Sequence, residues 1–346
     1  MQGYTRREYL TLLAALPCVG LDAVAAAAAP ASTNAMRGAF MILSTPYTSA
    51  GAVDWDDLGR EVAFCDRCGV QGVVWPQGSS GVAYLSQDER MHGMEVVARA
   101  AQGKKPAVVL GVQGKDTAEM LEYARRAEAL APDAMIAMPP SRARSLDEYG
   151  EYFRALAKVT HRPVIIQTTG GAPKLPPPVD LILELARELP NFGYVKEESE
   201  PLIERMKAEV QHRPPMKSVF GATFGLNWLY EMRLGLDGVI TGNAMYADVM
   251  ARLWDLHERG RADELRDLFG RFLLIRNLSD HIPGADLYIM QKRGVFKTLT
   301  TRTPASPGAA AGSTWSAKTL GFTPDEVAEI EYRYEALKPD LSATAG

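Results

Sequence analysis

The chain has 346 residues, of which 47% are hydrophobic and 23% charged, and its formal net charge is −4. That supplies a sizeable core, and the weakly negative balance excludes general attraction to nucleic acid. A folded protein with a small-molecule partner is the class that remains.

The N-terminus reads apart from the rest. Thr5-Arg6-Arg7-Glu8-Tyr9-Leu10 sets paired arginines before a mildly apolar stretch from Leu10 to Leu21, and an alanine-rich tract runs from Ala23 to Ala31. A basic start, an apolar middle and small residues suited to cleavage are the three parts of a secretory signal. The paired arginines favour the twin-arginine route, a receptor-read address rather than an anchor. The apolar stretch is short of the roughly 20 residues that span a bilayer, so no stable membrane insertion is expected. Residues 1–31 are read as a signal peptide, cleaved between Ala25 and Ala31, with a periplasmic destination. The plain alternative is a helical or unstructured extension.

Past residue 36, short apolar runs alternate with stretches of helical spacing. The runs are Gly38–Leu43, Gly72–Trp75, Ala107–Val112, Ala134–Met138, Val164–Gln167, Gly193–Lys196, Ser218–Gly221 and Gly238–Thr241. The first intervening helix, Asp56–Arg67, follows an aspartate-rich start suited to a helix N-terminus. Ser86–Ala101 opens with Ser86 and has Glu89 three residues on, a capping box. Thr117–Leu130, Leu146–Thr160, Val179–Leu189, Pro201–His212 and Gly225–Leu234 continue the series. The spacing is that of repeated βαβ units, which build parallel sheets covered on both faces. No glycine fingerprint follows the first strand, as an open nucleotide-binding sheet would show. Eight strands then favour an eight-stranded parallel (β/α)8 TIM barrel over residues 36–245. Residues 246–340 read as a C-terminal helical extension packed on it, with helices at Tyr246–Arg259, Ala262–Leu278, Leu287–Leu299 and Phe322–Leu337. The last has Thr323 as N-cap, Pro324 at its first position and Glu326 completing a second capping box. Thr303–Gly312 reads as a loop.

Cys65 and Cys68 share the first helix. A structural zinc site needs four ligands and two are visible, so both are read as small buried side chains. The histidines at 92, 161, 212, 257 and 281 show no metal spacing, and no metal is assigned.

The chemistry is expected at the strand ends. Phe192-Gly193-Tyr194-Val195-Lys196 ends the sixth strand on a lysine, and C-terminal strand ends form the mouth where such barrels react. A neutral lysine amine attacks a ketone to form an imine. Its ordinary pKa is about 10.4, so roughly one amine in 2,500 is neutral at pH 7, and burial is needed to lower that value. Strand alternation puts Tyr194, Lys196 and Glu198 on one side and Val195 and Glu197 on the other, with the direction of Glu198 past the strand end left open. After the second strand, Pro76-Gln77-Gly78-Ser79-Ser80-Gly81 makes a tight turn with backbone N–H groups suited to a carboxylate or phosphate. Gly221 and Thr241-Gly242-Asn243 end the last two strands and are read as lining the mouth or as ordinary βα turns.

Three features together resemble the dihydrodipicolinate synthase and N-acetylneuraminate lyase family, the pyruvate-dependent class I aldolases. Thr45-Pro46-Tyr47 followed by Gly51-Ala52-Val53-Asp54 resembles the family's opening. Gly78-Ser79-Ser80-Gly81 resembles its carboxylate-binding glycine-threonine-threonine-glycine loop. Val195-Lys196-Glu197 resembles its Schiff-base lysine motif. The resemblance implies a lyase or aldolase that takes pyruvate or a related 2-keto acid, needs no cofactor, and uses Lys196 as nucleophile. It implies that Ser79 and Ser80 hold the carboxylate with Thr45 behind them; Gln167, Thr168 and, from its strand-end position, Gly221 are also placed against substrate. It also raises a homo-oligomer, dimer or tetramer.

The departures are as informative. Val82 stands where the family's loop carries glutamate. Pro163-Val164-Ile165-Ile166-Gln167-Thr168 has no tyrosine where the family keeps a proton-relay tyrosine, and Met138-Pro139-Pro140-Ser141-Arg142 lacks the second one. Gln167 is no acid or base at neutral pH, and Thr168 is a poor one. Substrate acids, water or Tyr47 are the candidate replacements. Arg142 and Arg144 either bind a second carboxylate or form a solvated basic loop. The alternative function is an exported keto-acid or sugar-acid binding protein that kept the pocket and lost turnover.

Overall fold

In a computed structural model, residues 36–304 and 315–342 are described, so the signal-peptide reading of residues 1–31 lies outside them. Eight parallel strands close into a barrel in sequence order. They are β1 (Gly38–Ile42), β2 (Gly72–Trp75), β3 (Ala107–Gly111), β4 (Ala134–Ala137), β5 (Val164–Gln167), β6 (Tyr194–Lys196), β7 (Ser218–Gly221) and β8 (Gly238–Thr241). Closure comes from β8 pairing with β1, from Gly38 opposite Gly238 to Met41 opposite Thr241. The expected TIM barrel is therefore observed.

Period-2 alternation decides what fills it. Phe40, Val74, Val109, Ile136, Ile165, Phe220 and Ile240 form one buried cluster inside the barrel, while their chain neighbours join the larger core outside. The interior is thus a packed plug, with Phe40 edge-on to Phe220 at 5.1 Å between ring centroids. Chemistry is left to the rim above it.

The outer ring is α1 (Trp55–Cys68), α2 (Gln87–Ala100), α3 (Thr117–Ala129), α4 (Leu146–Ala157), α5 (Val179–Glu188), α6 (Leu202–Gln211), α7 (Trp228–Leu234) and α8 (Ala247–Glu258). Because α8 is the helix that follows β8, the ring runs past the boundary drawn at residue 245. Asp54 caps α1, accepting from the Asp57 amide, and the Ser86–Glu89 capping box opens α2 as its sequence indicates. Cys65 is fully buried on α1, and burial pushes its thiol well up, which suits an inert core residue.

The C-terminal segment adds α9 (Ala262–Arg276), α10 (Ala285–Lys292) and α11 (Pro324–Leu337), the last opened by the Thr323–Glu326 box. Two expectations need correction here. The helix expected over Leu287–Leu299 stops at Lys292. There Arg293 turns its guanidinium inward onto Asp248, at 2.6 and 3.0 Å, and Gly294 takes a positive φ of 71°. Thr303 then lies in a strand, not a loop. β9 (Thr300–Pro304) pairs antiparallel with β10 (Trp315–Thr319). Arg302 docks this ribbon: its side chain is 1% exposed, holds Glu89 at 2.7 and 2.9 Å, donates to the carbonyls of Gly51 and Tyr84, and stacks on Trp315. Gly51, at φ 81°, leaves the space that Ala317 and Trp315 fill.

Candidate active site

Lys196 closes β6 in register with Gln167 of β5 on one side and Phe220 of β7 on the other. All three side chains sit on the inner face. Lys196 is 4% exposed, and burial holds its amine below the ordinary lysine value, although the nearby Glu198 charge opposes that shift. Its Nζ lies 3.2 Å from Glu198 Oε1 and donates to Gln167 Oε1 at 3.3 Å. The rest of the cluster closes on itself. Gln167 Nε2 donates to Thr169 Oγ1 at 3.1 Å, and Thr169 Oγ1 donates to Glu198 Oε2 at 2.6 Å. Four side chains, Lys196 among them, thus form one hydrogen-bonded ring that includes the amine.

Glu197 takes the opposite face. It is fully buried outside the barrel wall, 2.9 Å from an Arg205 guanidinium nitrogen. Thr168 Oγ1 donates to its carboxylate at 2.6 Å and accepts the Glu198 amide at 2.9 Å. Glu209 of α6 adjoins the same cluster, pushed up to about 10 by burial first and by Glu197 second. Thr168 was expected against substrate. Its hydroxyl is committed behind the strand instead, where it orients Glu197 and the backbone of Glu198.

The serine turn lies at the end of β2. With eight strands in order, β2 and β6 stand opposite each other, so Ser79 and Lys196 face one mouth from opposite sides. Ser79 is exposed, whereas Ser80 is buried and donates to the Leu43 carbonyl at 2.6 Å while accepting the Gln77 amide. Thr45 Oγ1 donates to the Ser80 carbonyl at 2.6 Å and accepts from Trp75 Nε1 at 3.2 Å. The hydroxyls of Ser80 and Thr45 therefore fix the turn, and Ser79 is the hydroxyl presented to the mouth. A cavity of about 290 Å³ opens beside it, walled by Thr45, Ser79, Gly242, Phe224, Asp286 and Arg302. Lys196 is not one of its walls. Gly242 is needed there, since a Cβ would meet Ser79 Cβ at 2.7 Å.

Gly221 was also expected against substrate. A Cβ there would meet a Glu231 carboxylate oxygen at 1.9 Å, so its missing side chain makes room for α7 on the outer face and not for a ligand. Tyr47, a candidate relay, is 6% exposed and pushed up to about 12 by burial, with its ring under Arg302. Such a phenol keeps its proton at neutral pH. Arg142 pairs with Asp116 at 3.3 Å on the exposed loop, and Arg144 makes its contact through the backbone amide to Glu148. Glu198 and Thr169 are the site residues that sequence reading missed. The signal for Glu198 was present, since it stands two residues beyond Lys196 on the same face.

Among the described residues no three His, Cys, Asp or Glu side chains gather as a metal site, and no helix is long and apolar enough to cross a membrane.

Known proteins resemble this chain in sequence and in fold. The profile of the Dihydrodipicolinate synthetase family matches residues 35–320. The 4-hydroxy-tetrahydrodipicolinate synthase of Chlorobaculum parvum is 28% identical over 270 residues, which is 77% of this chain and 90% of that one. That of Parabacteroides distasonis is 26% identical over 240 residues, covering 68% and 80%. Among solved structures, dihydrodipicolinate synthase from Aquifex aeolicus superposes with a TM-score of 0.72 at 20% identity, covering 88% of this chain and 98% of that one. CdNal from Clostridium difficile, in complex with mannosamine, gives 0.71 at 17%, covering 87% and 99%. At those identities the structures speak for the fold, and the profile match over most of the sequence speaks for descent. The chain belongs to the dihydrodipicolinate synthetase family, enzymes of the lyase and aldolase type.

Proposed function

We propose that this enzyme acts on pyruvate or a related 2-keto acid through an imine on Lys196. The observation that carries the reading is the placement of that amine. It is buried at the inner end of β6, and burial holds it below the ordinary lysine value. A larger fraction of neutral amine than on a solvated lysine is then available to attack a carbonyl. Membership of a family of lyases and aldolases supports the reading.

In this reading the Ser79 hydroxyl and its turn take the keto-acid carboxylate from across the mouth, while Thr45 and Ser80 hold the turn rigid. The keto carbon is then presented toward Lys196. Attack forms the C–N bond, and loss of water leaves the imine, which serves as an electron sink for bond making or breaking at the next carbon. No cofactor takes part in this scheme. Sodium borohydride in the presence of pyruvate tests it: reduction fixes the adduct as a mass increment on Lys196, and turnover with candidate aldehydes is then assayed separately.

A second reading has its own support. Lys196 lies within ion-pair distance of Glu198, and Gln167 or Thr168 stands where a relay tyrosine is expected. A binding protein that keeps the pocket with little turnover would show ligand affinity without an adduct.

We also propose export through the twin-arginine route, on the strength of Arg6-Arg7 ahead of the apolar and alanine-rich stretches. Replacing both arginines by lysine and fractionating the cells tests it: retention in the cytosol is expected, and unchanged fractionation would reject it.

A further inference from the structure

The proposed imine chemistry leaves one need unmet. Forming and breaking an imine moves protons between nitrogen, oxygen and carbon, and Gln167 holds no proton it can give at neutral pH. Tyr47 is buried with a raised pKa under Arg302. Among the described residues, one ionisable side chain besides Lys196 reaches the reacting nitrogen, and that is Glu198 at 3.2 Å.

We propose that Glu198 is the proton-transfer group of this active site, replacing a tyrosine relay with a carboxylate. The inference rests on the imine reading above. The geometry meets the requirement on three counts. Glu198 Oε1 is at hydrogen-bonding distance from Lys196 Nζ, where proton transfer needs no intervening water. Its other oxygen accepts from Thr169 Oγ1 at 2.6 Å, and Thr169 is itself held by Gln167 Nε2, so the carboxylate is oriented and not free to swing. Its backbone is pinned as well, because the Glu198 amide donates to Thr168 Oγ1. At 21% side-chain exposure the group also retains contact with solvent for exchange of its proton.

The protons balance with Glu198 as sole carrier. From an ammonium–carboxylate pair, Lys196 passes one proton to Glu198 and attacks the keto carbon, and the carbonyl π pair moves to oxygen. Glu198 gives its proton to that oxygen and takes one from the positively charged nitrogen, leaving a neutral carbinolamine. It then protonates the hydroxyl; the C–O bond breaks, water leaves, and the nitrogen lone pair forms the C=N bond of a protonated imine. Glu198 is again a carboxylate. It next takes a proton from the adjacent carbon, whose bonding pair forms C=C while the C=N pair returns to nitrogen, giving an enamine. One group serves each step, and the net products are the enamine, water and a protonated Glu198.

Glu198→Gln separates this role from simple electrostatics. The Glu198 charge favours the ammonium form of Lys196, so removing it lowers the lysine pKa further and raises the neutral fraction. A residue that merely held the amine would then leave attack unchanged or faster. A proton carrier, once lost, slows it. The experiment incubates the full chain with pyruvate in D2O and follows loss of the methyl proton signal by NMR, with borohydride trapping in parallel. We expect exchange in Glu198→Gln to fall by about 10²–10⁴-fold with native folding retained. We expect Glu198→Ala to be similarly slow and to regain part of its rate in added formate, which restores a carboxylate to the vacated space. Wild-type exchange rates in either variant would overturn the assignment while leaving the imine intact. Absence of any adduct or exchange in the wild-type enzyme would overturn the imine reading, and this inference with it.

Discussion

Glu197 and Glu198 are adjacent in sequence and face opposite sides of the barrel wall. Glu197 is sealed behind it against Arg205 and Thr168, while Glu198 turns inward to the Lys196 amine. One carboxylate braces the strand that carries the lysine and the other shares the lysine's space. A single residue of register separates a structural role from a chemical one.

The amine's environment fixes the pH dependence of adduct formation. Burial lowers the Lys196 pKa and Glu198 partly opposes it. The rate of borohydride-trapped adduct with pyruvate should rise with pH and level off below the value of about 10.4 expected for a free lysine. In Glu198→Gln the midpoint should move to lower pH even as proton-dependent steps slow.

Ser79 and Ser80 should separate binding from stability. Ser79 faces the mouth, so Ser79→Ala should raise KM for the keto acid and leave unfolding within about 0.5 kcal/mol of wild type. Ser80→Ala strands the Leu43 carbonyl and the Gln77 amide, so it should cost about 1–2 kcal/mol in chemical denaturation.

How far the sequence leads is visible in these residues. Periodicity placed β2, β5, β7 and β8 at their observed ends, because buried parallel strands are short apolar runs bounded by turn residues. Alternation put Lys196 inward and Glu197 outward. It did not show which hydroxyls are spent on the scaffold. Ser80, Thr45 and Thr168 look like ligand contacts until their partners, Leu43, Ser80 and Glu197, arrive from 29 to 37 residues away in sequence. The β9–β10 ribbon was hidden for a related reason. Its strands carry few residues bound for the core, and their anchor is one arginine whose hydrogen-bond partners lie over two hundred residues away.

That anchor gives a third prediction. Arg302→Ala removes the guanidinium from the Glu89 carboxylate, which keeps the Ser86 amide, and from two backbone carbonyls. It should cost about 2–4 kcal/mol, less than a wholly buried pair because Glu89 remains partly exposed, and limited proteolysis should cut first within the β9–β10 segment.

Glu231 gives a prediction about stability and pH. It is fully buried, neither oxygen is hydrogen-bonded, and burial pushes it up from 4.5 to about 8. Between those values the native state holds a proton that the unfolded chain has released, so its contribution is present in full below the unfolded pKa and is lost as pH rises toward 8. Wild type should therefore lose up to about 1.4 kcal/mol per pH unit relative to Glu231→Gln across that window. Parallel pH-dependent denaturation curves would argue against a buried neutral acid.

The central claim is that the Lys196 amine condenses with a 2-keto acid. Intact-mass and peptide-mass analysis after borohydride reduction with pyruvate tests it most directly. A reduced pyruvyl increment confined to the peptide carrying Lys196 and lost in Lys196→Ala is expected. An unmodified Lys196 after reduction with each of a panel of 2-keto acids would contradict it.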